Sequence, residues 1–290
     1  MFEKLAVIGC GLMGGSFAMA LRAAGRVQRV SGYSRSPASA QRAAELDIVD
    51  EAFDEPIDAV RGADLVLIAV PVGATQAALS AVLPALSPQA LVMDVGSTKR
   101  DVVAAALAAM GDRVAQFVPA HPIAGKATGG IEQAEATLYQ GCTTILTPLA
   151  ANPTEAVARA QAAWEAVGSR VVPMSAQAHD QTFAAVSHLP HLLAFAYMQG
   201  LMGQGPEALR QHLSVAGPGF RDFSRIAGST SAIWRDIFSA NRDEVLTQLT
   251  RFEASLAQFR QALTDGHDED LARWVDEASA VRSRWPSLPD

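Results

Sequence analysis

The chain has 290 residues, and its sequence predicts an α/β domain with a mainly parallel sheet followed by an all-α domain. Three observations carry this. Short apolar runs alternate with Ala-rich helical stretches through the first half, the rhythm of βαβ units. The runs are apolar throughout, without the every-other-residue alternation of a half-exposed strand, as strands covered on both faces should be. After about residue 174 the runs stop and only helical spacing continues.

The strand runs are KLAVIG (4–9), RVSGYS (29–34), DLVLIAV (64–70), ALVMDVG (90–96), QFVPA (116–120) and TTILTP (143–148), with RVVPM (170–174) a further candidate. FAMALRAAG (17–25) and RDVVAAALAAMG (100–111) are helical stretches between them. Beyond 174, residues 183–203 are apolar with helical spacing, and Pro190 is expected to start or kink a helix there. One long helix is expected from Trp234, carrying Ile237, Phe238, Val245, Leu249, Phe252, Leu256, Phe259 and Leu263 at steps of three, four or seven. A last helix covers 268–285.

Composition narrows the function classes. Hydrophobic residues make up 49% and charged ones 18%, which is a globular balance. The net charge is −7 and the basic residues are scattered, so no nucleic-acid partner is expected. Cys10 and Cys142 form no metal spacing and no disulfide framework, as expected for a cytoplasmic protein. No secretory leader and no membrane span is expected either.

Gly9-Cys10-Gly11-Leu12-Met13-Gly14 fits G-x-G-x-x-G, between a strand and a helix, as the dinucleotide fingerprint requires. Gly9 permits the turn, Gly11 lets the backbone approach a pyrophosphate, and Gly14 lets helix and strand pack closely. The helix N-terminus then offers free N–H groups to an anion. The first domain is therefore expected to be a Rossmann-type dinucleotide-binding domain, 1–173, with an all-helical substrate and dimerisation domain at 174–290. The second strand usually ends in an acid that binds the adenosine ribose of NAD. Here it ends Ser34-Arg35-Ser36, and a guanidinium between two hydroxyls suits a 2′-phosphate. NADP is the expected cofactor, with NAD as the alternative. Val70 and Pro71, at the end of the third run, complete the expected cofactor set.

Two further stretches sit at strand ends, GSTK (96–99) and HPIAG (121–125), where open α/β sheets place their chemistry. Taken alone, His121 reads equally as a turn histidine on the surface. Further on come Ala178-His179-Asp180, then Ser187-His188-Leu189-Pro190-His191, then GFRDFSRIAGSTSAIWRDIF (219–238). Three of the six histidines fall within 13 residues, and His188 alone would suit a helix surface, a cap or a packing role.

Together these motifs resemble the prephenate/arogenate (cyclohexadienyl) dehydrogenase family of tyrosine biosynthesis, over nearly the whole chain. The resemblance implies a 6-phosphogluconate-dehydrogenase-like pairing of domains, a homodimer, and oxidative decarboxylation of a cyclohexadienol. It implies that His121 accepts the hydrogen bond of the substrate's C4 hydroxyl and that Ser97 holds the same hydroxyl or the imidazole. Arg225 would pair a substrate carboxylate, while His191, His179 and Trp234 would line and shape the pocket. One position departs from the pattern. Family members often carry an acid at the second position after HPIAG, where this chain has Ala127, between Lys126 and Thr128. Glu132 could instead meet the ammonium of arogenate, which tilts the expected substrate toward arogenate. Two other readings stay open. A β-hydroxyacid or imine reductase could use the same scaffold, but the hydroxyacid enzymes place a catalytic Lys early in the second domain, and no Lys follows Lys126. A non-catalytic NADP sensor would not need His121, Ser97 and Arg225 to converge.

Overall fold

A computed structural model describes residues 1–126 and 128–285; Ala127 and the last five positions of the expected helical domain lie outside the described residues. The described residues hold two sheets. Strands β1 (Phe2–Ile8), β2 (Val27–Tyr33), β3 (Glu51–Phe53), β4 (Leu65–Ile68), β5 (Leu91–Asp94) and β6 (Phe117–Val118) form a six-stranded sheet. Its order is β3-β2-β1-β4-β5-β6, and every pairing is parallel. This is the doubly wound order whose direction reverses between β1 and β4. Two apolar clusters cover its two faces, so β4 (LVLI) and β5 (LVMD) are buried at every position. That explains why their sequences do not alternate.

A second sheet is smaller and mixed. β7 (Ala120–Pro122) pairs antiparallel with β8 (Thr143–Leu146), which pairs parallel with β9 (Arg170–Pro173). The run QFVPA is therefore two strands rather than one. Pro119 stands between them, and its carbonyl accepts from Thr147 N–H at 3.0 Å, so the chain passes from one sheet to the other there. β3 was not expected. It is a three-residue strand between acidic residues and carries almost no apolar signal.

Strands end at Pro173, and among the described residues every regular element from Ala176 onward is helical. The helix Ala176–Phe183 runs into a five-residue π-helical segment, Ala184–His188, and then into the helix Leu189–Met202. Pro190 lies in the first turn of that last helix, where its missing N–H is harmless. The long helix expected from Trp234 is two helices, Ser231–Ala240 and Arg242–Asp265. The break is at Asn241, which leaves helical geometry (φ −114°, ψ 31°) and spends its buried side chain on tertiary hydrogen bonds. The helix Asp268–Arg284 agrees with the expectation. By compactness the chain divides into Met1–Arg242 and a unit that begins at Asp243. In the second unit the rings of Phe259 and Trp274 join its two helices, with centroids 5.1 Å apart. Among the described residues, no helix is long and apolar enough to cross a membrane.

Candidate active site

The glycine turn lies at the C-terminal end of β1, where the strand order reverses. Gly9 has φ +111°, and a Cβ there would stand 2.4 Å from the Ala69 carbonyl oxygen, just past β4. Only glycine fits that turn. A Cβ at Gly14 would meet the Gly9 carbonyl at 2.5 Å and Val7 at 2.6 Å, so the helix Leu12–Ala23 packs on β1 by lacking one. At Gly11, the N-cap of this helix, nothing stands within 4 Å of where a Cβ would be. That space, above the free N–H groups of a helix N-terminus, fits a pyrophosphate. Leu12 and Met13 open the helix, and Val70 and Pro71 follow β4 across the crevice. Ser34, Arg35 and Ser36 leave the end of β2, with Arg35 and Ser36 exposed. Cys10 is buried inside the turn, and burial pushes its thiol up to about 12, so it is inert.

The chemical end of the cleft is built from buried side chains. His121 lies within β7, opposite Ile145 of β8, rather than in a loop after a strand as its sequence suggested. Burial, above all, holds its imidazole well below the usual range, with help from the charges of His179, Lys99 and His188. It is therefore neutral at pH 7. Its Nδ1 lies 2.8 Å from Nε2 of His179, and Phe183 packs on both rings at 4.8 and 4.5 Å between centroids.

His179 is fully buried and its Nδ1 lies 2.8 Å from Asp180 Oδ1. With both ring nitrogens occupied, it has none left to bind a substrate. Burial is the main influence lowering its pKa, against the pull of Asp180. Burial acts upward on Asp180 itself, but hydrogen bonds from His179 and from the backbone N–H groups of Arg100 and Lys99 outweigh it and keep the carboxyl below its ordinary value.

Lys99 anchors this end. Its fully buried ammonium donates to Asp94 Oδ2 at 2.6 Å and to the Ala120 carbonyl at 2.8 Å. Asp94 Oδ1 accepts Ala120 N–H at 2.9 Å and its Oδ2 accepts Gly96 N–H at 2.8 Å. The pair thus ties the end of β5 to the residue before His121. A second group of bonds runs from Arg100 to Asn241 (3.1 Å), from Asn241 Nδ2 to the Asp180 carbonyl (2.8 Å), and from the same amide to His188 Nδ1 (3.1 Å). His188 is buried, hydrogen-bonded to the backbone of half-buried Ser97, and lowered to about 4 chiefly by burial. It is an interior residue that fixes the Ser97 turn, not a surface one.

His191 lines the helical side. Its Nδ1 is 2.9 Å from the Ser187 carbonyl, and its ring stacks on buried Trp234 with centroids 3.9 Å apart. Burial lowers its pKa first, and the charge of exposed Arg225 adds to that. In the same way the charge of His191 lowers His188, and that of His188 lowers His121. The exposed carboxylate of Glu132 is 3.8 Å from Arg42. Among the described residues, no group of His, Cys, Asp and Glu is arranged to hold a metal ion.

Comparison with known proteins bears on this arrangement. Residues 17–173 match the nucleotide-binding domain of prephenate dehydrogenase, and residues 175–277 match its dimerization domain. The chain belongs to the prephenate dehydrogenase family. Members are NAD(P)-dependent oxidoreductases of tyrosine biosynthesis, and this chain is one of them. It is 34% identical to the cyclohexadienyl dehydrogenase of Zymomonas mobilis over 281 residues, covering 97% of this chain and 95% of that one. Prephenate dehydrogenase from A. aeolicus, solved with hydroxyphenyl propionate and NAD+, superposes with a TM-score of 0.91 at 34% identity, covering 98% of both chains. Arogenate dehydrogenase from Synechocystis superposes at 0.83 with 28% identity, covering 98% of this chain and 100% of that one. Within this family frame, the residues that have no role in the sequence reading are Lys99, Asp180 and Asn241, and His188 has only a surface, cap or packing one. One signal was available. An acid inside the apolar run VMDV demands a buried cation, and Lys99 lies five residues on.

Proposed function

We propose that the chain oxidatively decarboxylates arogenate, prephenate or both, passing a hydride to NAD(P)+. The observation that carries this reading is His121: a buried imidazole held neutral, in a chain whose two halves match this one family. The substrate is a cyclohexadienol with a ring carboxylate. As hydride leaves C4, the C4–O bond gains carbonyl character and its hydroxyl leans on a neutral acceptor, a role His121 suits near pH 7. Loss of CO2 from C1 then makes the ring aromatic, which supplies driving force. When bound, the nicotinamide serves as the hydride acceptor. Ser97 holds the hydroxyl or the imidazole, Arg225 grips a substrate carboxylate, and His191 with Trp234 shapes the pocket. His179 acts behind His121.

The cofactor set is Gly9, Gly11, Leu12, Met13, Gly14, Ser34, Arg35, Ser36, Val70 and Pro71. Exposed Arg35 at the end of β2 favours NADP, with NAD as the second cofactor. We put the functional boundary at 173/174; the end of the last described strand at Pro173 supports it. The helical part forms a homodimer; Leu246, Leu256, Leu263, Val275 and Val281 are all more than half exposed and call for a partner surface. Two free thiols, one of them buried, suit the cytoplasm. Glu132, paired with Arg42, gives only a weak reason to favour arogenate.

The test is a two-by-two steady-state assay of arogenate and prephenate, each with NADP and NAD. The expected result is turnover, with NADP the faster column. The faster row assigns the substrate, and silence in all four, with cofactor binding demonstrated, would overturn the reading.

A further inference from the structure

The proposed reaction needs His121 to offer a lone pair, and the side chains behind it determine which of its nitrogens does so. We infer that Asp180 and His179 are positioning residues that fix the tautomer of His121, leaving its Nε2 unprotonated and ready to accept the substrate's hydroxyl proton. This rests on the activity proposed above, but its geometric argument stands apart from it.

The argument starts at Asp180. Its fully buried carboxylate receives four N–H groups. Lys99 N (2.8 Å) and His179 Nδ1 (2.8 Å) meet Oδ1; Arg100 N (2.9 Å) and Arg100 Nε (3.2 Å) meet Oδ2. A carboxylate surrounded by donors is ionised and can only accept, so His179 Nδ1 carries the hydrogen. A neutral imidazole has one N–H, so Nε2 of His179 is a lone pair. That lone pair faces Nδ1 of His121 at 2.8 Å. Two facing lone pairs would repel, so His121 Nδ1 carries the hydrogen and donates it. His121 is neutral as well, and its other nitrogen, Nε2, is left as the acceptor.

The proton balance follows. As hydride leaves C4, the O–H bond of the substrate breaks and its proton goes to Nε2 of His121. The imidazolium so formed donates to His179, whose far side rests on the negative charge of Asp180. When the bond from C1 to CO2 breaks, its electron pair enters the ring, and the phenolic oxygen takes the proton back. No proton is gained or lost overall. The charged and titratable groups facing this series are Asp94 at the end of β5, Lys99, Arg100 and Asp101 at the start of the helix Arg100–Met110, and His188 from the π-helical segment. Lys99 is already neutralised by Asp94, so Asp180 is the anion that answers a proton on His121.

The decisive experiment uses the intact protein labelled with 15N-histidine, read by NMR at pH 7.5, with His121→Asn assigning the His121 signals. The expected spectrum has His121 protonated at Nδ1 and bare at Nε2, and the Asp180→Asn protein shows a second His121 tautomer. A wild-type His121 protonated at Nε2 overturns the inference whatever the enzyme turns over. In the same proteins, Asp180→Asn should lower kcat by about 10²-fold or more while KM stays within about threefold, the pattern of a misdirected imidazole. It should also move the acid limb of the kcat profile to lower pH, because the anion that favours protonated His121 has gone. A purely structural Asp180 would leave that limb in place, and this result would likewise overturn the inference. If Asp180→Asn does not fold, the wild-type spectrum still decides. A wild-type protein silent on both substrates but with the expected tautomer refutes the proposed activity and not this geometry.

Discussion

The two ends of the proposed site are built by opposite means. The pyrophosphate cradle of the cofactor end is backbone: three glycines, a helix N-terminus and an open space above Gly11. The chemical end is side chains, drawn from β5, β7 and five helical segments and locked by hydrogen bonds between residues up to 141 positions apart. The difference teaches where each end is vulnerable. A backbone cradle loses affinity when its space is filled, whereas a buried polar network loses stability or rate when one member is removed.

The largest effect is expected at Lys99. Lys99→Ala strands the buried Asp94 carboxylate without its cation, and urea unfolding should report a loss of about 3–5 kcal/mol. A loss under about 1 kcal/mol would mean that the pair is not the anchor of this end. Next is His121→Asn, which should cut kcat by about 10²-fold while leaving the cofactor dissociation constant unchanged. A parallel fall in cofactor affinity would blur the division between the two ends. Gly11→Ala should do the converse. No atom of the protein opposes the added methyl, so stability holds, while cofactor affinity should fall about tenfold, near 1.4 kcal/mol. Unchanged affinity would move the pyrophosphate away from this turn.

The smallest effect concerns pH. His121, His179, His188 and His191 are all held below the ordinary imidazole value, chiefly by burial. The unfolded chain therefore binds more protons than the folded one below pH 6.5. Their contribution is fully present above 6.5 and is lost as pH falls toward the folded values, about 4 for His188. The urea midpoint should drop across that window, and His188→Gln should flatten the drop. An equal slope in the variant would show that His188 is not buried neutral.

The same contrast explains what the sequence made legible. The glycine turn was readable because its parts are consecutive and each glycine answers a local steric demand. HPIAG, GSTK and SHLPH marked the chemical end, yet not its wiring. His121 was expected just past a strand, because the switch of sheets at Pro119 depends on β8, some 25 residues later. Asp180 was visible beside His179, but nothing local says that the N–H groups of Lys99 and Arg100 will close on its carboxylate. Asn241 was hidden inside a continuous helical stripe. Only the tertiary contacts of its amide reveal why the stripe breaks there.

The central claim is a reaction that couples hydride transfer to loss of CO2 at His121. It is tested most directly by measuring both products together, from whichever of arogenate and prephenate turns over, for the wild type and for His121→Asn. The expected result is one CO2 released per nicotinamide reduced, with both falling together in the variant. Reduction of the nicotinamide without CO2, or undiminished release of both by His121→Asn, would contradict it.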